Sequence, residues 1–301
     1  MTGADGDHQL PVDSGHPGTA SEPPTEPDPQ EVAVRPAATV MLLDDGPRLR
    51  VLLLRRTSQV VFGPGNWVFP GGRVDPGDHV DDFDRLCEGL SDTEASSILG
   101  VERGGLAWWV AACRETLEEA GLLLSARTGP PVSAGDVASL RDRVRADEGL
   151  FIDLLLAAGI TLDVRGIEEV ARFITPVGPP RRFDARFFVA RAPEGQEALH
   201  DDDEIVDWAW FEPDTALERW RAGELEMMSP TARMVACLAR FRSVDEVMEV
   251  ASRRLPYRRV RVADPEGRYD VLLPGEPGYE SADLEVESGW VRLWTDDGST
   301  G

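Results

Sequence analysis

The sequence contains no lysine, so arginine supplies all 31 of its strongly basic residues. Basic residues are also outnumbered, because 55 aspartates and glutamates bring the formal net charge to −24. A protein of that charge repels a phosphate backbone and gains little from releasing its counterions. The composition therefore argues against nucleic acid as a main partner.

Cysteine is scarce too, and long apolar runs are missing. Cys87, Cys113 and Cys237 are odd in number and widely spaced, which fits neither a disulfide framework nor a C-x-x-C metal site. The first residues lack the positive and apolar segments of a secretory signal, and no apolar run approaches the ~18 residues that span a bilayer. We therefore expect a soluble, cytoplasmic protein without membrane contact, whose oligomeric state the sequence leaves open.

Three regions differ in composition along the 301 residues. Residues 1–34 are acidic, rich in proline and glycine and poor in large apolar side chains, so they are predicted to form a disordered tail. Residues 35–244 carry strand-type and helical patterns, which predict one folded domain. Residues 245–301 turn to short strand patterns and are predicted to form a β-rich C-terminal extension of unknown role.

Strands and helices are mixed without strict βαβ alternation, which favours an α+β fold. Two apolar runs flank Asp44-Asp45-Gly46-Pro47 and predict a hairpin, and a third strand at 66–69 is predicted to end in a glycine turn, Pro70-Gly71-Gly72. The remaining predicted elements are helices over 93–99, 106–121, 134–146, 148–158, 213–222 and 229–252, and strands over 160–164, 170–175, 183–190 and 204–211.

The most informative element is the predicted helix over 106–121. Helical spacing places Glu115, Glu118 and Glu119 on one face, where like charges repel each other. A hard divalent cation offsets such repulsion, and Mg²⁺ is usually held by a few carboxylates together with substrate phosphates. Arg114, four residues before Glu118, can brace one carboxylate. The alternative is a merely solvated acidic face.

The glycine turn upstream favours the metal site over the solvated face. A strand end followed by Gly71 and Gly72 exposes backbone carbonyls that can reach a metal and amides that can reach a phosphate. The two segments together predict a site that binds a phosphorylated small molecule through a metal.

These segments resemble the sequence box of the Nudix hydrolase family, G-x5-E-x7-R-E-U-x-E-E-x-G-U, in which U is a bulky aliphatic residue. Gly72 matches the first glycine, and Asp78 stands where the first glutamate belongs. Residues 114–122 match the remainder, with Thr116 at the first U position. Residues 79–113 occupy the place of seven residues in the box. The resemblance therefore implies a Nudix domain at 35–244 with one insertion at 79–104 and a second, helical insertion at 134–158.

Further segments, among them VLLLRR, FGPGNWVFPGG and ITPVGPPRRFDARFFVA, resemble a subgroup of coenzyme A diphosphatases. The resemblance implies an α/β/α sandwich with a mixed sheet, Mg²⁺ or Mn²⁺ as the cofactor, and a nucleoside diphosphate linked to another moiety as the substrate. Coenzyme A or an acyl-CoA is the first candidate. ADP-ribose, NADH and dinucleoside polyphosphates are the alternatives, as is a nucleotide-sensing module without turnover, although three crowded glutamates argue against the last.

Roles for individual residues follow from the same resemblance. It implies that Glu118, Glu119 and the Gly71 carbonyl are metal ligands, that Glu115 is a ligand or a proton acceptor, and that Arg114 is the brace. It also implies a further carboxylate, acting as a catalytic base or a metal ligand, near the start of the strand at 204–211, for which Glu204 is the first choice and Asp202 the second. A solvated acidic loop explains that run equally well.

Candidates for substrate contacts are the Gly72 amide and several arginines. Arg56 closes a strand just before the glycine turn, and Arg181 and Arg182 precede the strand at 183–190. Guanidinium groups suit phosphate oxygens, although surface ion pairs explain the last two equally well. The insertion at 79–104 is predicted either to form a wall for the pantetheine arm of coenzyme A or to pack with the helices at 134–158.

Overall fold

The computed structural model describes residues 32–59, 63–79, 85–125, 132–199, 203–263, 270–282 and 289–294. Most of the predicted disordered tail, residues 1–31, and the candidate Asp202 lie outside these ranges. Every helix within them is too short or too polar to cross a lipid bilayer.

Strands and helices follow each other in mixed order, as predicted. The strands are β1 (Val34–Asp45), β2 (Leu49–Arg56), β3 (Trp67–Val68), β4 (Gly71–Arg73), β5 (Cys87–Glu88), β6 (Leu162–Asp163), β7 (Ile167–Ile174), β8 (Arg182–Arg191), β9 (Ile205–Phe211), β10 (Arg258–Arg259), β11 (Arg261–Val262), β12 (Val271–Leu272) and β13 (Gly289–Val291). The helices are α1 (Asp92–Leu99), α2 (Ala107–Ala120), α3 (Ala134–Ala146), α4 (Phe151–Ala158), α5 (Pro213–Arg221), α6 (Ser229–Leu238) and α7 (Val244–Ser252).

A mixed sheet of nine strands forms the centre of the described structure. Seven strands lie in the order β10-β13-β7-β8-β1-β2-β3, while β4 pairs with β1 and β9 pairs with β2. Strand β1 runs parallel to β8 along one side. On its other side β1 pairs antiparallel with β2 near Leu43 and with β4 near Ala38. Strands β2 and β4 therefore pair with different parts of β1, and Gly71 and Gly72 of β4 lie within the sheet.

Helices cover both faces of this sheet. On β1, Val40 and Leu42 face a core shared with α1–α4, whereas Met41 and Leu43 face a core shared with α5–α7. All four side chains are fully buried, which explains why the strand is a continuous apolar run and not an alternating one. The architecture is an α/β/α sandwich, and the predicted α+β fold with a mixed sheet is confirmed.

Two predicted elements differ from the structure. The helix predicted over 229–252 is two helices, α6 and α7. Ser243 caps the start of α7, because its hydroxyl accepts a hydrogen bond from the Glu246 amide at 3.3 Å. The predicted glycine turn is wrong as well, because Gly71 and Gly72 lie in β4 and pair with Thr39 and Ala38.

The described part of the insertion predicted at 79–104, residues 85–104, packs into the same helical layer as α2–α4. Its helix α1 begins with a capping box in which Ser91 and Glu94 each accept a hydrogen bond from the other's amide. Its strand β5 pairs parallel with β6, which follows α4 in the chain. These contacts favour the structural alternative for the insertion over a wall for the pantetheine arm.

The C-terminal segment is tied to the sheet through a buried carboxylate on β7. The side chain of Glu169 has no exposed surface and accepts a hydrogen bond from the Tyr257 hydroxyl. Arg292 and Arg186 lie 3.4 and 3.7 Å from its carboxylate oxygens. Burial raises the pKa of Glu169 from 4.5 to about 7, although the hydroxyl and the two arginines act in the opposite direction.

We expect this carboxylate to make stability fall with rising pH. Because its pKa is higher in the folded chain, the stability it contributes is present below about pH 4.5 and lost as pH rises through about 7. The unfolding free energy of the wild type should fall relative to Glu169→Gln by about 2 to 3 kcal/mol between pH 5 and pH 8. Urea unfolding measures this difference. The exposed Glu218→Gln is the control, and equal pH dependence of wild type and Glu169→Gln would contradict the prediction.

Candidate active site

Helix α2 carries the three glutamates of the predicted site. It ends at Gly121, whose left-handed conformation (φ +67°) lets its amide donate to the Leu117 carbonyl at 3.0 Å. The side facing the core is apolar and buried, and includes Trp109, Val110, Cys113, Leu117 and Ala120. The glutamates lie on the remaining face, which contacts β4. The sequence periodicity thus places the carboxylates against the two glycines.

Arg114 lies beneath the carboxylates and is only 1% exposed. Its Nε and Nη2 donate to the two oxygens of Asp78 at 2.8 and 3.0 Å, which is a bidentate pair. Its Nη1 donates to Glu115 Oε1 at 2.9 Å and to Glu118 Oε1 at 3.1 Å. One guanidinium therefore fixes two of the three glutamates.

Three further contacts hold Arg114, and none was predicted from the sequence. Its Nη2 donates to the Arg73 carbonyl at 2.9 Å and lies 3.4 Å from Asp75, while Glu148 lies 3.6 Å from Nη1. Burial by itself lowers the pKa of Arg114, but the hydrogen bond to Asp78 and the neighbouring carboxylates raise it well above its usual range. The guanidinium is therefore a permanent buried cation.

Gly71 and Gly72 lie directly against the carboxylates. The Gly71 amide donates to Glu119 Oε2 at 2.8 Å. A Cβ atom added at Gly72 would lie 2.3 Å from Glu115 Oε1. At Gly71, with φ +154°, an added Cβ would lie 2.4 Å from the Ala38 carbonyl oxygen. Gly71 needs glycine because the backbone of β1 approaches too closely for a side chain, whereas a side chain at Gly72 would displace the carboxylate of Glu115.

Negative charge is unfavourable at this cluster. Burial raises the pKa of Glu115 to about 8, although the charge of Arg114 opposes the shift. Burial also raises the pKa of Glu119, and the charge of Glu115 raises it further. Burial raises the pKa of Glu118, again against the charge of Arg114. A cation placed among these carboxylates would relieve this cost.

The donor chemistry of the cluster fits a divalent metal ion. Within the described ranges no three Asp, Glu, His or Cys side chains already surround one point as ligands. Instead Arg114 holds Glu115 and Glu118, and the Gly71 amide holds Glu119. Carboxylate and carbonyl oxygens are nevertheless the ligands that Mg²⁺ and Mn²⁺ prefer. The raised pKa values reflect mainly the cost of burying these negative charges, which such an ion would offset.

Comparison with known proteins identifies the domain around this cluster. The sequence profile described as the NUDT19 Nudix domain matches residues 92–238. The chain carries a Nudix hydrolase domain of the NUDT19 type. The predicted resemblance to the Nudix hydrolases is therefore confirmed.

Relatives and a solved structure agree with this identification. The chain is 27% identical to "Acyl-coenzyme A diphosphatase NUDT19" of Gallus gallus, over 81% of the chain and 79% of that protein. It is 31% identical to the Homo sapiens protein of the same name, over 66% of the chain and 62% of that protein. The crystal structure of a NUDIX hydrolase from Alicyclobacillus acidocaldarius is 28% identical, covers 73% of this chain and 97% of its own, and superposes with a TM-score of 0.57.

The Nudix box is split in sequence but assembled in space. Asp78, before the insertion, pairs with Arg114, after it, and both are buried. Residues 79–113 separate the two members of this pair in the sequence. The position of Asp78 in the box stays a prediction, and its contact with Arg114 supports that prediction.

Arg56 and Glu204 also lie at the cluster of the Nudix domain. Arg56 Nη2 lies 3.5 Å from Glu204 Oε2. Both groups act on Glu119, since the charge of Arg56 lowers the pKa of its carboxyl group and the charge of Glu204 raises it. Sequence reasoning selected both residues, and the fold brings them to the carboxylates from β2 and from the start of β9.

Arg181 and Arg182 have described positions elsewhere in the Nudix domain. Arg182 lies opposite Val34 at the start of β1, and its Nε donates to the Thr175 carbonyl at 3.0 Å. Arg181 is exposed beside it. The glycines of β4 pair further along β1, with Ala38 and Thr39. The structure does not bring these two arginines to the carboxylate cluster.

Proposed function

We propose that this protein hydrolyses the diphosphate of coenzyme A or an acyl-CoA, which releases an adenosine bisphosphate and a phosphopantetheine product. The observation that carries the chemistry is the convergence of Glu115, Glu118 and Glu119 around Arg114 and the two glycines. The relatives named acyl-coenzyme A diphosphatase support the choice of substrate.

In this proposal Glu115, Glu118, Glu119 and the Gly71 carbonyl hold one or more Mg²⁺ or Mn²⁺ ions. When bound, the metal lowers the pKa of a water molecule and neutralises charge on the phosphates. The protein contributes the arrangement of donors. Arg114, itself fixed by Asp78, sets the rotamers of Glu115 and Glu118, so that little ordering is needed when the substrate arrives.

Two carboxylates can accept the proton of the attacking water. Glu115 is the first candidate, because its carboxylate lies against Gly72, whose amide is a proposed contact for the substrate diphosphate. Glu204 is the second candidate, because its side chain is 62% exposed and lies beside Arg56. Arg56 and the Gly72 amide are the proposed contacts for the substrate diphosphate.

A hydrolysis screen tests the proposal. Coenzyme A, acetyl-CoA, a long-chain acyl-CoA, ADP-ribose, NADH and a dinucleoside polyphosphate are incubated with the protein and either Mg²⁺ or Mn²⁺, and products are identified by mass. The expected result is the highest kcat/KM for coenzyme A or an acyl-CoA, with adenosine bisphosphate as one product. Hydrolysis of ADP-ribose or NADH without hydrolysis of any CoA compound would overturn the choice of substrate, and no hydrolysis of any compound would overturn the enzyme assignment.

Alanine at the two glycines should separate stability from activity. Gly71→Ala is expected to reduce the unfolding free energy by about 2 kcal/mol or more, because its Cβ meets the backbone of β1 in a conformation that side chains avoid. Gly72→Ala meets only the end of the Glu115 side chain. It is expected to change stability by less than about 1 kcal/mol but to lower turnover about a hundredfold, since Glu115 must move.

Urea unfolding and the hydrolysis assay measure the two effects. Gly166→Ala is the control, because an added Cβ there meets no atom within 4 Å. Unchanged turnover in Gly72→Ala would show that the position of Glu115 does not matter for the reaction.

A further inference from the structure

Glu148, in the insertion predicted at 134–158, reaches the buried arginine of the Nudix box. Glu148–Leu150 form one 3₁₀ turn between α3 and α4. The Glu148 carboxylate lies 3.6 Å from Arg114 Nη1. Residue 148 lies outside the sequence pattern of the box, so the insertion brings a further carboxylate to the site.

The backbone of this turn is fixed against the box. The Asp147 side chain accepts a hydrogen bond from the Gly149 amide at 3.1 Å, which caps the turn. A Cβ atom added at Gly77 would lie 3.6 Å from the Gly149 Cα, so the two backbones pack closely. The side chain of Glu148, in contrast, is 51% exposed. Its carboxylate can therefore change rotamer while the turn stays in place.

Three carboxylates lie around a single nitrogen of Arg114. An Nη nitrogen carries two N–H groups, and those of Nη1 donate to Glu115 Oε1 at 2.9 Å and to Glu118 Oε1 at 3.1 Å. At 3.6 Å Glu148 forms an ion pair with Nη1 but no hydrogen bond. Burial raises the pKa of Glu118, and the charge of Glu148 adds to that shift. Glu148 is therefore close enough to Glu118 to compete for the same nitrogen.

This nitrogen needs another acceptor if Glu118 turns to bind a metal ion. Because no three Asp, Glu, His or Cys side chains of the described residues surround one point as ligands, the glutamates must move before they share a cation. The hydrogen bond to Glu118 is the longer of the two from Nη1. If Glu118 turns away, an N–H group of a buried guanidinium loses its acceptor, which is unfavourable. The Glu148 carboxylate is near enough to replace it.

We propose that Glu148 is a positioning residue for the metal ligands: it accepts the Arg114 N–H group that Glu118 gives up when its carboxylate turns towards a divalent cation. The buried guanidinium then keeps its hydrogen bonds, and Glu115 stays held. The inference rests on the proposed metal site and adds to it a residue from the insertion predicted at 134–158. It does not depend on which diphosphate is hydrolysed.

Calorimetric titration of the full chain with Mn²⁺, without substrate, tests this role. Glu148→Ala removes the acceptor and is expected to weaken Mn²⁺ binding about tenfold, since a hydrogen bond between charged groups is lost. Glu148→Asp keeps the charge but shortens the side chain by one methylene group, so it should weaken binding about threefold or more. Asp142→Ala is the control. Asp142 is an exposed acidic residue of α3, and removal of its charge should leave Mn²⁺ binding as in the wild type.

Thermal unfolding in EDTA separates this role from a merely structural one. Without metal Arg114 keeps Glu115 and Glu118, so the Tm of both Glu148 variants should stay within about 2 °C of the wild type. A large fall in Tm would show that Glu148 is a structural residue and overturn the proposal. Mn²⁺ binding by Glu148→Ala as tight as by the wild type would also overturn it, as would wild-type affinity in Glu148→Asp, which would show an effect of charge alone. No Mn²⁺ binding by the wild type would overturn the proposed metal site itself, and the role of Glu148 with it.

Discussion

Replacing Glu119 with glutamine is expected to lower turnover of the best substrate by about a hundredfold or more while the protein stays folded. Glutamine keeps the shape of the side chain and can still accept the Gly71 amide, but it loses the charge that would bind a metal ion. Glu118→Gln should behave in the same way. In the absence of metal both variants should be at least as stable as the wild type, because burial and neighbouring carboxylates disfavour the charges.

Thermal unfolding with and without Mn²⁺ gives a readout that does not depend on the reaction. The metal should raise the Tm of the wild type and raise that of Glu118→Gln and Glu119→Gln much less. Glu102→Gln, at an exposed position in the insertion, is the control and should resemble the wild type in both assays. Near wild-type turnover in both glutamine variants would show that the proposed metal site is wrong.

Removing Arg114 is expected to cost more stability than any other single change proposed for the Nudix box. Arg114→Gln leaves Asp78, which is 1% exposed, as a buried carboxylate without its bidentate partner. Breaking a buried ion pair from one side costs about 3 to 5 kcal/mol. Arg114→Lys keeps the charge but not the planar guanidinium group, so its unfolding free energy should lie between those of the wild type and Arg114→Gln. Urea unfolding measures the difference.

A double variant and a surface pair serve as controls for Arg114. Arg114→Gln/Asp78→Asn should recover part of the lost stability, because residue 78 no longer carries a buried charge without a partner. Arg73 is 47% exposed and lies 3.3 Å from Asp75, so Arg73→Gln should cost less than about 1 kcal/mol. If Arg114→Gln cost no more than Arg73→Gln, the contacts of Arg114 would not be stabilising the box.

The helices of both layers can be predicted from local signals in the sequence. Apolar spacing and the stop at Gly121 define α2, and Ser91 with Glu94 defines the start of α1. The hairpin β1–β2 follows from two apolar runs and a turn sequence. The three glutamates of the candidate site could also be predicted from a local pattern, because helical spacing alone places them on one face.

The failures have a common physical origin in contacts between distant parts of the chain. Gly71-Gly72 has the composition of a turn, but both glycines lie in β4, where the Ala38 backbone approaches Gly71 and the Glu115 carboxylate approaches Gly72 so closely that an added Cβ would force a movement. The contact of Glu148 with Arg114 joins the second insertion to the box and has no local signature. The break between α6 and α7 contains neither proline nor glycine, and only the cap at Ser243 marks it.

The order of strands in the sheet has a consequence for how the chain is made. Val34 in β1 pairs with Arg182 in β8, and Phe173 in β7 pairs with Gly289 in β13. During synthesis β1 can therefore pair only with β2 and β4 until β8 has left the ribosome. One edge of β7 likewise stays unpaired until β13 has been made. Such distant pairing gives a high contact order and slow folding. During that interval the unpaired backbone edge of β7 is open to pairing with other chains, so we expect folding during synthesis to require chaperones.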